Sequence, residues 1–61
     1  MEKIRQFVNP GEGRVVMCEW NEKNGAWCCQ SAAEERFNLC SDKMEPVYTE
    51  LKDAGYEENR H

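Results

Sequence analysis

Four cysteines, Cys18, Cys28, Cys29 and Cys40, are the residues in this sequence whose chemistry is most distinctive. Structural zinc sites usually take their thiolate ligands in pairs separated by two to four residues, and these cysteines contain no such pair. Cys28 and Cys29 are adjacent, so on a strand their side chains point to opposite faces. The sequence therefore predicts no cofactor, and a zinc site formed by all four cysteines is the alternative interpretation.

The redox state of these cysteines follows from the expected location of the chain. The first residues lack the apolar run of a signal peptide, and no stretch approaches the length of a membrane span. We therefore expect a cytoplasmic protein with reduced thiols and no membrane contact. Cys18, Cys29 and Cys40 are expected to behave as small buried apolar residues, and Cys28 as a more exposed free thiol. A redox-responsive use of the cysteines stays an alternative.

Other catalytic groups are sparse. The one histidine is His61, at the end of the sequence, where it makes a poor metal ligand or base. A cysteine nucleophile needs a positioned base or a lowered pKa. The glycines of Pro10-Gly11-Glu12-Gly13 are too few for a phosphate-binding loop, which also needs a lysine. We predict that the protein is not an enzyme.

The charge distribution argues against nucleic acid as a partner and leaves two interpretations, solubility and a protein partner. The net charge is −4, and all of the acidic excess lies in residues 31–61. An acidic surface repels phosphates, which argues against direct nucleic-acid binding, but it suits a basic or nucleic-acid-handling protein and also favours solubility. The candidate partner-binding residues are five acidic positions in this half: Glu34, Glu35, Glu45, Glu50 and Asp53.

These features predict a small acidic protein-interaction module that acts by covering a partner's surface. By analogy of size, the expected role is that of an inhibitor or modulator of a host or defence enzyme, of the kind that phages and mobile elements encode. Two alternatives remain. One is a zinc-binding or redox-responsive module built on the cysteines, and the other is an obligate homodimer formed by pairing of strand edges.

A β-hairpin must position most of the distinctive side chains. Asn24-Gly25 is typical of a two-residue type I′ turn, which pairs Trp20 with Cys29; a longer loop over residues 21–25 is the alternative. In the predicted register Cys18 and Cys29 are diagonal neighbours about 7–8 Å apart, which is long for a disulfide. The predicted core face carries Val16, Cys18, Trp20, Trp27 and Cys29, and the opposite face carries Met17, Glu19, Asn21, Cys28 and Gln30. We expect the tryptophans to be core residues rather than partner anchors.

The remaining segments supply a first strand and two helices. Strands are predicted over residues 3–8, 14–22 and 26–30, with a type II turn at Pro10-Gly11. Ser31 and Glu34 form a capping-box pattern that favours a helix over about 32–40; an extended segment over 36–40 is the alternative. A second helix is predicted over about 46–54. Its apolar stripe is Val47, Tyr48, Leu51 and Ala54, with Pro46 at its first position and Gly55 as its C-terminal cap.

The order of elements, strands first and helices after, predicts an α+β fold. We expect one domain over residues 1–61, with a small antiparallel sheet of about three strands packed by one or two short helices. Residues 57–61 are polar, so we expect them to fray.

Overall fold

A computed structural model describes residues 3–59 and shows one antiparallel sheet of five strands with one α-helix. The strand order is β4-β3-β2-β1-β5. The α+β class is as predicted, but the sheet has five strands rather than about three. The elements are β1 (Ile4–Asn9), β2 (Arg14–Asn21), β3 (Ala26–Gln30), a 3₁₀ helix (Glu35–Phe37), β4 (Leu39–Ser41), α1 (Met44–Asp53) and β5 (Glu57–Glu58).

The three predicted strands are present as β1, β2 and β3, and their burial alternates as period-two patterning requires. On β2, Val16 and Cys18 are fully buried, whereas Val15 and Met17 are 42% and 40% exposed. The sheet therefore has a core face and an uncovered face. The core consists of Phe7, Val16, Cys18, Cys29, Phe37, Met44, Val47, Leu51 and Tyr56.

Both hairpin loops contain four residues and share one design. The side-chain oxygen of Asn9 accepts hydrogen bonds from the backbone N–H groups two and three residues later, at 3.1 and 3.3 Å. The side-chain oxygen of Asn21 accepts the equivalent pair at 3.0 and 3.3 Å. Each loop ends on a glycine with positive φ, Gly13 at 67° and Gly25 at 61°. Asparagine favours such local bonds, and glycine adopts positive φ without steric cost.

The predicted turn types are therefore wrong. A type II turn needs positive φ at Gly11, and a type I′ turn needs it at Asn24 as well as at Gly25. Among residues 3–59, positive φ occurs only at Gly13, Gly25 and Gly55. The longer loop, named as the alternative for the second hairpin, describes it better because the strands end at Asn21 and resume at Ala26.

The register of the second hairpin differs from the predicted one by two residues. Trp20 pairs with Trp27, and Cys18 pairs with Cys29. A shift of two residues leaves every side chain on its original face, so the predicted division into faces is confirmed. Cys18 and Cys29 are buried, the two tryptophans are half-buried on the same face, and Cys28 lies on the opposite face.

The predicted helix over 32–40 is wrong, although its capping interaction exists. The Ser31 hydroxyl accepts a hydrogen bond from the backbone N–H of Glu34 at 3.0 Å. Asn38 then binds Ser31 twice, accepting from its N–H at 2.7 Å and donating to its carbonyl at 3.1 Å. These bonds join two residues seven positions apart and close a loop between them. The chain therefore makes a single 3₁₀ turn inside the loop and continues as β4. The extended alternative over 36–40 accounts for buried Phe37 and half-buried Leu39.

Helix α1 matches the predicted second helix but begins two residues earlier, at Met44. Pro46 therefore occupies the third helical position, which is tolerated because N–H groups of the first turn have no intrahelical partner. Met44, Val47 and Leu51 are buried against the sheet, whereas Tyr48, predicted to be in the stripe, is 36% exposed. The buried stripe of α1 therefore consists of Met44, Val47 and Leu51, and Tyr48 lies beside it.

The end of α1 confirms the predicted glycine cap. Gly55 has φ of 92°, its N–H donates to the Lys52 carbonyl at 3.0 Å, and the Tyr56 N–H donates to the Leu51 carbonyl at 2.9 Å. This pair of bonds is a Schellman motif, in which the residue after the glycine packs back onto the helix. Tyr56 is accordingly 1% exposed.

A short fifth strand occupies part of the segment expected to fray. Glu57 pairs with Val8, and Glu58 pairs with Phe7, so the polar end of the chain adds an edge to the sheet. The pairing is extended by a bond of 2.8 Å from the Asn59 N–H to the Gln6 carbonyl. The rest of the predicted frayed tail, residues 60 and 61, lies outside the described residues.

Candidate functional site: an aromatic cleft

The four cysteines form two disulfides, Cys18–Cys29 and Cys28–Cys40. Both bridges join residues that are direct cross-strand partners, with Cα atoms 4.0 Å apart in each pair. The expectations of reduced thiols and of a free Cys28 are therefore wrong. The distance that argued against bridging Cys18 to Cys29 came from the shifted register, in which they were diagonal neighbours.

The disulfides also remove the alternative zinc site. A zinc-binding cysteine must present a thiolate, and the sulfur atoms of Cys18, Cys28, Cys29 and Cys40 are bonded to one another in pairs. The two pairs lie on opposite faces of the sheet, as the adjacency of Cys28 and Cys29 predicts. No group of three or more histidine, cysteine or acidic residues within 3–59 is placed to hold a metal ion.

An open cleft of about 1040 Å³ lies beside α1, on the core face of the sheet. Its floor is formed by the ends of β2 and β3, which α1 leaves partly uncovered. We call this feature the aromatic cleft. Its lining residues are Arg5, Trp20, Trp27, Asp42, Lys43, Met44, Glu45, Tyr48, Thr49, Lys52, Glu57 and Glu58.

A tryptophan pair forms the apolar part of the aromatic cleft. Trp20 and Trp27 are cross-strand partners whose rings meet edge to face, with centroids 5.7 Å apart and an angle of 62° between the planes. Trp27 packs against the core, and both side chains stay half-buried. The prediction of a core role is therefore only partly correct. Edge-to-face contact is a favoured arrangement of two aromatic rings, and part of each tryptophan stays accessible.

An ion pair surrounded by aromatic rings forms the other part of the aromatic cleft. The Arg5 guanidinium donates two hydrogen bonds to the Glu58 carboxylate, at 2.8 and 2.7 Å. Its Cζ lies 5.6 Å from the ring centroid of Tyr48 and 5.7 Å from that of Phe7. These two rings meet edge to face at 5.9 Å. The cleft thus already holds one cation by a bidentate carboxylate contact and by cation–π contacts.

Sequence analysis did not single out Arg5, Tyr48 or Glu58 as site residues. Arg5 and Glu58 are 53 positions apart and meet only because β5 pairs with β1, which no local pattern predicts. One signal for Arg5 was present: it lies two positions before buried Phe7 and therefore shares its face. Tyr48 borders the apolar stripe of α1 and so faces the flank of the helix.

The five acidic residues predicted to bind a partner do not form one surface. Glu45 lines the aromatic cleft. Glu50 and Asp53 lie on the other flank of α1, where they line a shallow depression with Arg36. Glu35 is exposed at the start of the 3₁₀ helix.

Glu34, the fifth predicted residue, is a structural centre. Its carboxylate accepts a hydrogen bond from the Tyr56 hydroxyl at 2.8 Å and forms ion pairs with Arg14 at 3.0 Å and with Arg36 at 2.9 Å. Arg36 also lies over the ring of Phe37, 4.7 Å from its centroid. We call the group Glu34, Tyr56, Arg14 and Arg36 the Glu34 cluster. Since its carboxylate is engaged on both oxygens, Glu34 is poorly placed to serve as a contact for another protein.

Contacts within the Glu34 cluster shift the pKa values of Glu34, Tyr56 and Arg14. The pKa of Glu34 is lowered, first by the hydrogen bond from Tyr56 and then by the one from Arg14. The pKa of Tyr56 is raised, first by burial and then by its bond to the Glu34 carboxylate. The pKa of Arg14 is raised mainly by its bond to Glu34. At neutral pH the cluster therefore holds a charged Glu34 carboxylate, a charged Arg14 guanidinium and a neutral Tyr56 phenol.

Within residues 3–59, no helix combines the length and apolar character that crossing a membrane requires. Comparison of the chain with protein-family models, with curated proteins and with solved structures gives no match.

Proposed function

We propose that this protein is a protein-interaction module that binds a basic, partly apolar segment of a partner protein in the aromatic cleft. The observation that supports the proposal is the half-buried Trp20–Trp27 pair, which shares the cleft with exposed Tyr48. Tryptophan and tyrosine are enriched among the residues that contribute most to binding energy at protein interfaces. Accessible rings of this size in a chain with so few large residues are best explained by a partner that covers them.

The chemistry of the cleft favours a cationic side chain on that partner. Arg5 provides an internal example, because its guanidinium is bound between the ring of Tyr48 and the carboxylate of Glu58. The Trp20–Trp27 pair offers further ring surface, and Asp42 and Glu45 offer carboxylates in the same cleft. A guanidinium or ammonium group is attracted both to such rings and to such carboxylates.

The charge balance agrees with this choice of ligand. Arg5 and Glu58 neutralise each other, and the remaining charged lining residues are Asp42, Glu45 and Glu57 against Lys43 and Lys52. The cleft is thus slightly acidic within a chain of net charge −4. Glu50 and Asp53, outside the cleft, contribute through the general field that steers a basic partner.

The proposed mode of action is occupation of the partner's surface rather than catalysis. An inhibitor or modulator of a host or defence enzyme, the role expected from the sequence, is one form of this proposal. The partner can be a nucleic-acid-handling protein, since such proteins present basic grooves. A cytoplasmic location belongs to the same proposal, and disulfides in that compartment are usually transient or redox-sensing.

Binding of defined peptides tests the proposal. The probes are two blocked peptides of equal length, one alternating arginine with leucine and one alternating glutamate with leucine. Trp20 and Trp27 are the only tryptophans, so their fluorescence reports directly on the cleft. The arginine peptide should bind, and its affinity should fall as salt is raised from roughly 50 to 300 mM, because salt screens the attraction between exposed charges over about 10 Å at 0.1 M. Equal binding of both peptides would overturn the proposal.

Charge reversal on α1 supplies a matched pair of variants. Glu45→Lys places a cation in the cleft, whereas Glu50→Lys makes the same change on the opposite flank of the same helix. Both positions are exposed, so neither variant should unfold the chain. Glu45→Lys should weaken the arginine peptide several-fold more than Glu50→Lys. If the two variants lose affinity equally, the acidic field and not the cleft binds the peptide.

The competing proposal is a homodimer joined at strand edges. The edge strands β4 and β5 contain three and two residues, so each offers little unpaired backbone to a second copy. Sedimentation of the free chain at low micromolar concentration decides between the two. A stable dimer that does not bind the arginine peptide would favour the competing proposal.

A further inference from the structure

The two disulfides differ sharply in their access to solvent. Cys18 and Cys29 are 0% and 3% exposed and belong to the core. Cys28 is half-buried and Cys40 is exposed, both on the uncovered face of the sheet. Because Cys28 and Cys29 are adjacent, the two bridges hold β3 from opposite sides. A reagent in solution can reach one bridge without opening the core, and it cannot reach the other.

The accessible bridge joins an edge strand, β4, to its neighbour β3. Strand β4 has three residues and has β3 as its one neighbour in the sheet. Leu39, at the start of β4, packs partly against the core, and Ser41, at its end, is paired with Trp27. Cys40 lies between them and is bonded to Cys28. Without this bridge, it is the pairing of Ser41 with Trp27 that holds this end of β4 to β3.

We infer that Cys28–Cys40 is a thiol-exchange site at which a small cellular thiol, such as a glutathione-like tripeptide, opens the bridge and releases the end of β4. Exchange proceeds by attack of a thiolate on a disulfide sulfur. The more exposed sulfur is that of Cys40, so the small thiolate attacks there. A mixed disulfide forms with Cys40, the Cys28–Cys40 bond breaks, and Cys28 leaves as a thiolate that takes up a proton.

A second molecule of the small thiol completes the reduction. Its thiolate attacks the small-thiol sulfur of the mixed disulfide, which yields the oxidised dimer of the small thiol and frees Cys40 as a thiolate that is then protonated. The two electrons that reduce the bridge come from two small thiols, and the protons that these thiols lose balance those that the cysteines gain. Cys18–Cys29 stays oxidised throughout, because it is sealed in the core.

Release of β4 has a consequence in the aromatic cleft. Asp42 and Lys43 follow Ser41 directly and line the cleft before α1 begins. Loss of the Ser41–Trp27 pairing therefore loosens one wall of the cleft and alters the surroundings of Trp27. The exchange reaction itself does not depend on the cleft binding a partner.

Differential labelling of the oxidised native chain tests the inference. The chain is exposed to reduced glutathione at native conditions, samples are quenched over time with an alkylating reagent, and fragmentation by mass spectrometry separates Cys28 from Cys29. Cys28 and Cys40 should be labelled at least about tenfold faster than Cys18 and Cys29, because a local opening costs less than unfolding of the core. Tryptophan fluorescence should change together with this first labelling. Labelling of all four cysteines at one rate would overturn the inference, as would faster labelling of the buried pair.

Two double variants separate release of β4 from general unfolding. Cys28→Ser with Cys40→Ser keeps the core bridge and should reproduce the fluorescence of the glutathione-treated native chain. Cys18→Ala with Cys29→Ala keeps the outer bridge and should still react with glutathione. If the first variant is folded but has the fluorescence of the untreated chain, Cys28–Cys40 does not fasten the cleft wall. If a variant fails to fold, the labelling rates of the native chain still decide.

Discussion

Gly55 meets two constraints at a single position. Its φ of 92° lies in the region that side chains with a Cβ rarely adopt, and a Cβ added there would come within 3.3 Å of Asn9 Nδ2. The first constraint ends α1, and the second lets the first hairpin loop approach the end of the helix, where Asn9 Nδ2 donates to the Ala54 carbonyl at 3.4 Å. The positive φ at the end of α1 and the close approach of Asn9 therefore both depend on the absence of a Cβ at Gly55.

Gly55→Ala should reduce the free energy of unfolding by about 1–2 kcal/mol, the usual cost of a left-handed conformation for a residue with a Cβ. Urea denaturation measures the change. Gly11→Ala is the matched control, because Gly11 does not have positive φ and a Cβ there meets Asn9 Oδ1 at an ordinary 3.6 Å. Its effect should be neutral or slightly stabilising. Equal losses from both substitutions would mean that flexibility of the loops, rather than backbone conformation, sets the cost.

The two hairpin loops make the same hydrogen bonds but differ in their burial, so we expect these bonds to contribute differently to stability. Asn9 and Asn21 make the same pair of bonds to loop N–H groups. Asn9 is nearly buried, with 9% exposure, and its amide also reaches the carbonyl of Ala54. Asn21 is half-buried, and its two hydrogen bonds to the loop are exposed to water.

Asn21→Ala should therefore cost about 0.5–1 kcal/mol of unfolding free energy, whereas Asn9→Ala should cost about 1–3 kcal/mol, because it leaves partly buried groups without a partner. Substitution by aspartate refines the comparison, since aspartate keeps the accepting oxygen and loses the donor. Asn21→Asp should be close to neutral, and Asn9→Asp should remain destabilising. Thermal unfolding of the four variants checks this order, and identical losses at the two positions would contradict it.

The sequence predicts elements well where a period decides them, and poorly where pairing does. The strands β1 to β3 and the helix α1 follow from period-two and helical patterns. The register of the second hairpin does not, because a shift of two residues leaves the faces of Cys18 and Trp20 unchanged. Strand β5 exists only through its pairing with Phe7 and Val8. The helix expected over 32–40 does not form, because Ser31 and Asn38 are joined by two hydrogen bonds that close a loop. A capping pattern does not predict such a contact.

The candidate site shows the same division. Glu45 is a candidate contact on residue type alone, whereas the sequence assigns Trp20 and Trp27 to the core rather than to a partner site. The pairing of Arg5 with Glu58 was not recognisable, because it requires β5. The disulfides were missed for two reasons. Reduced thiols were the expected state in the cytoplasm, and the shifted register separated cysteines that are in fact direct partners.

At the scale of the whole molecule, polar contacts join parts that the thin core alone joins weakly. A chain of this size buries only about 60% of the surface that it exposes when unfolded, less than a larger domain does, and one sheet with one helix offers a single core layer. The Glu34 cluster connects the start of β2, the 3₁₀ helix and the segment after α1. Its central bond, from the Tyr56 hydroxyl to Glu34, is partly buried beside the edge-to-face contact of Tyr56 with Phe37 at 5.5 Å.

This arrangement makes the stability of the molecule depend on acid pH. The pKa of Glu34 is lower in the folded chain than its ordinary value of 4.5, and the hydrogen bond from Tyr56 is the largest cause. A carboxyl group whose pKa is depressed by folding contributes stability that is fully present above its ordinary pKa and is lost as pH falls through the folded value. The native protein should thus lose stability in acid below about pH 4.5 as Glu34 takes up a proton.

Tyr56→Phe removes this largest cause while keeping the buried ring, so the folded pKa of Glu34 should rise toward its ordinary value. The variant should be less stable than the native chain at neutral pH, and the difference should narrow as pH falls below the ordinary pKa of a glutamate, because Glu34 is then protonated in both proteins. Urea denaturation at steps from about pH 3 to about pH 8 measures the difference, below the range in which tyrosines ionise. Tyr48→Phe, which alters an exposed ring, should show no such narrowing. A constant difference between native and Tyr56→Phe proteins at every pH would mean that the hydroxyl contributes without linkage to the charge of Glu34, and the Glu34 cluster would then not be the origin of the acid sensitivity.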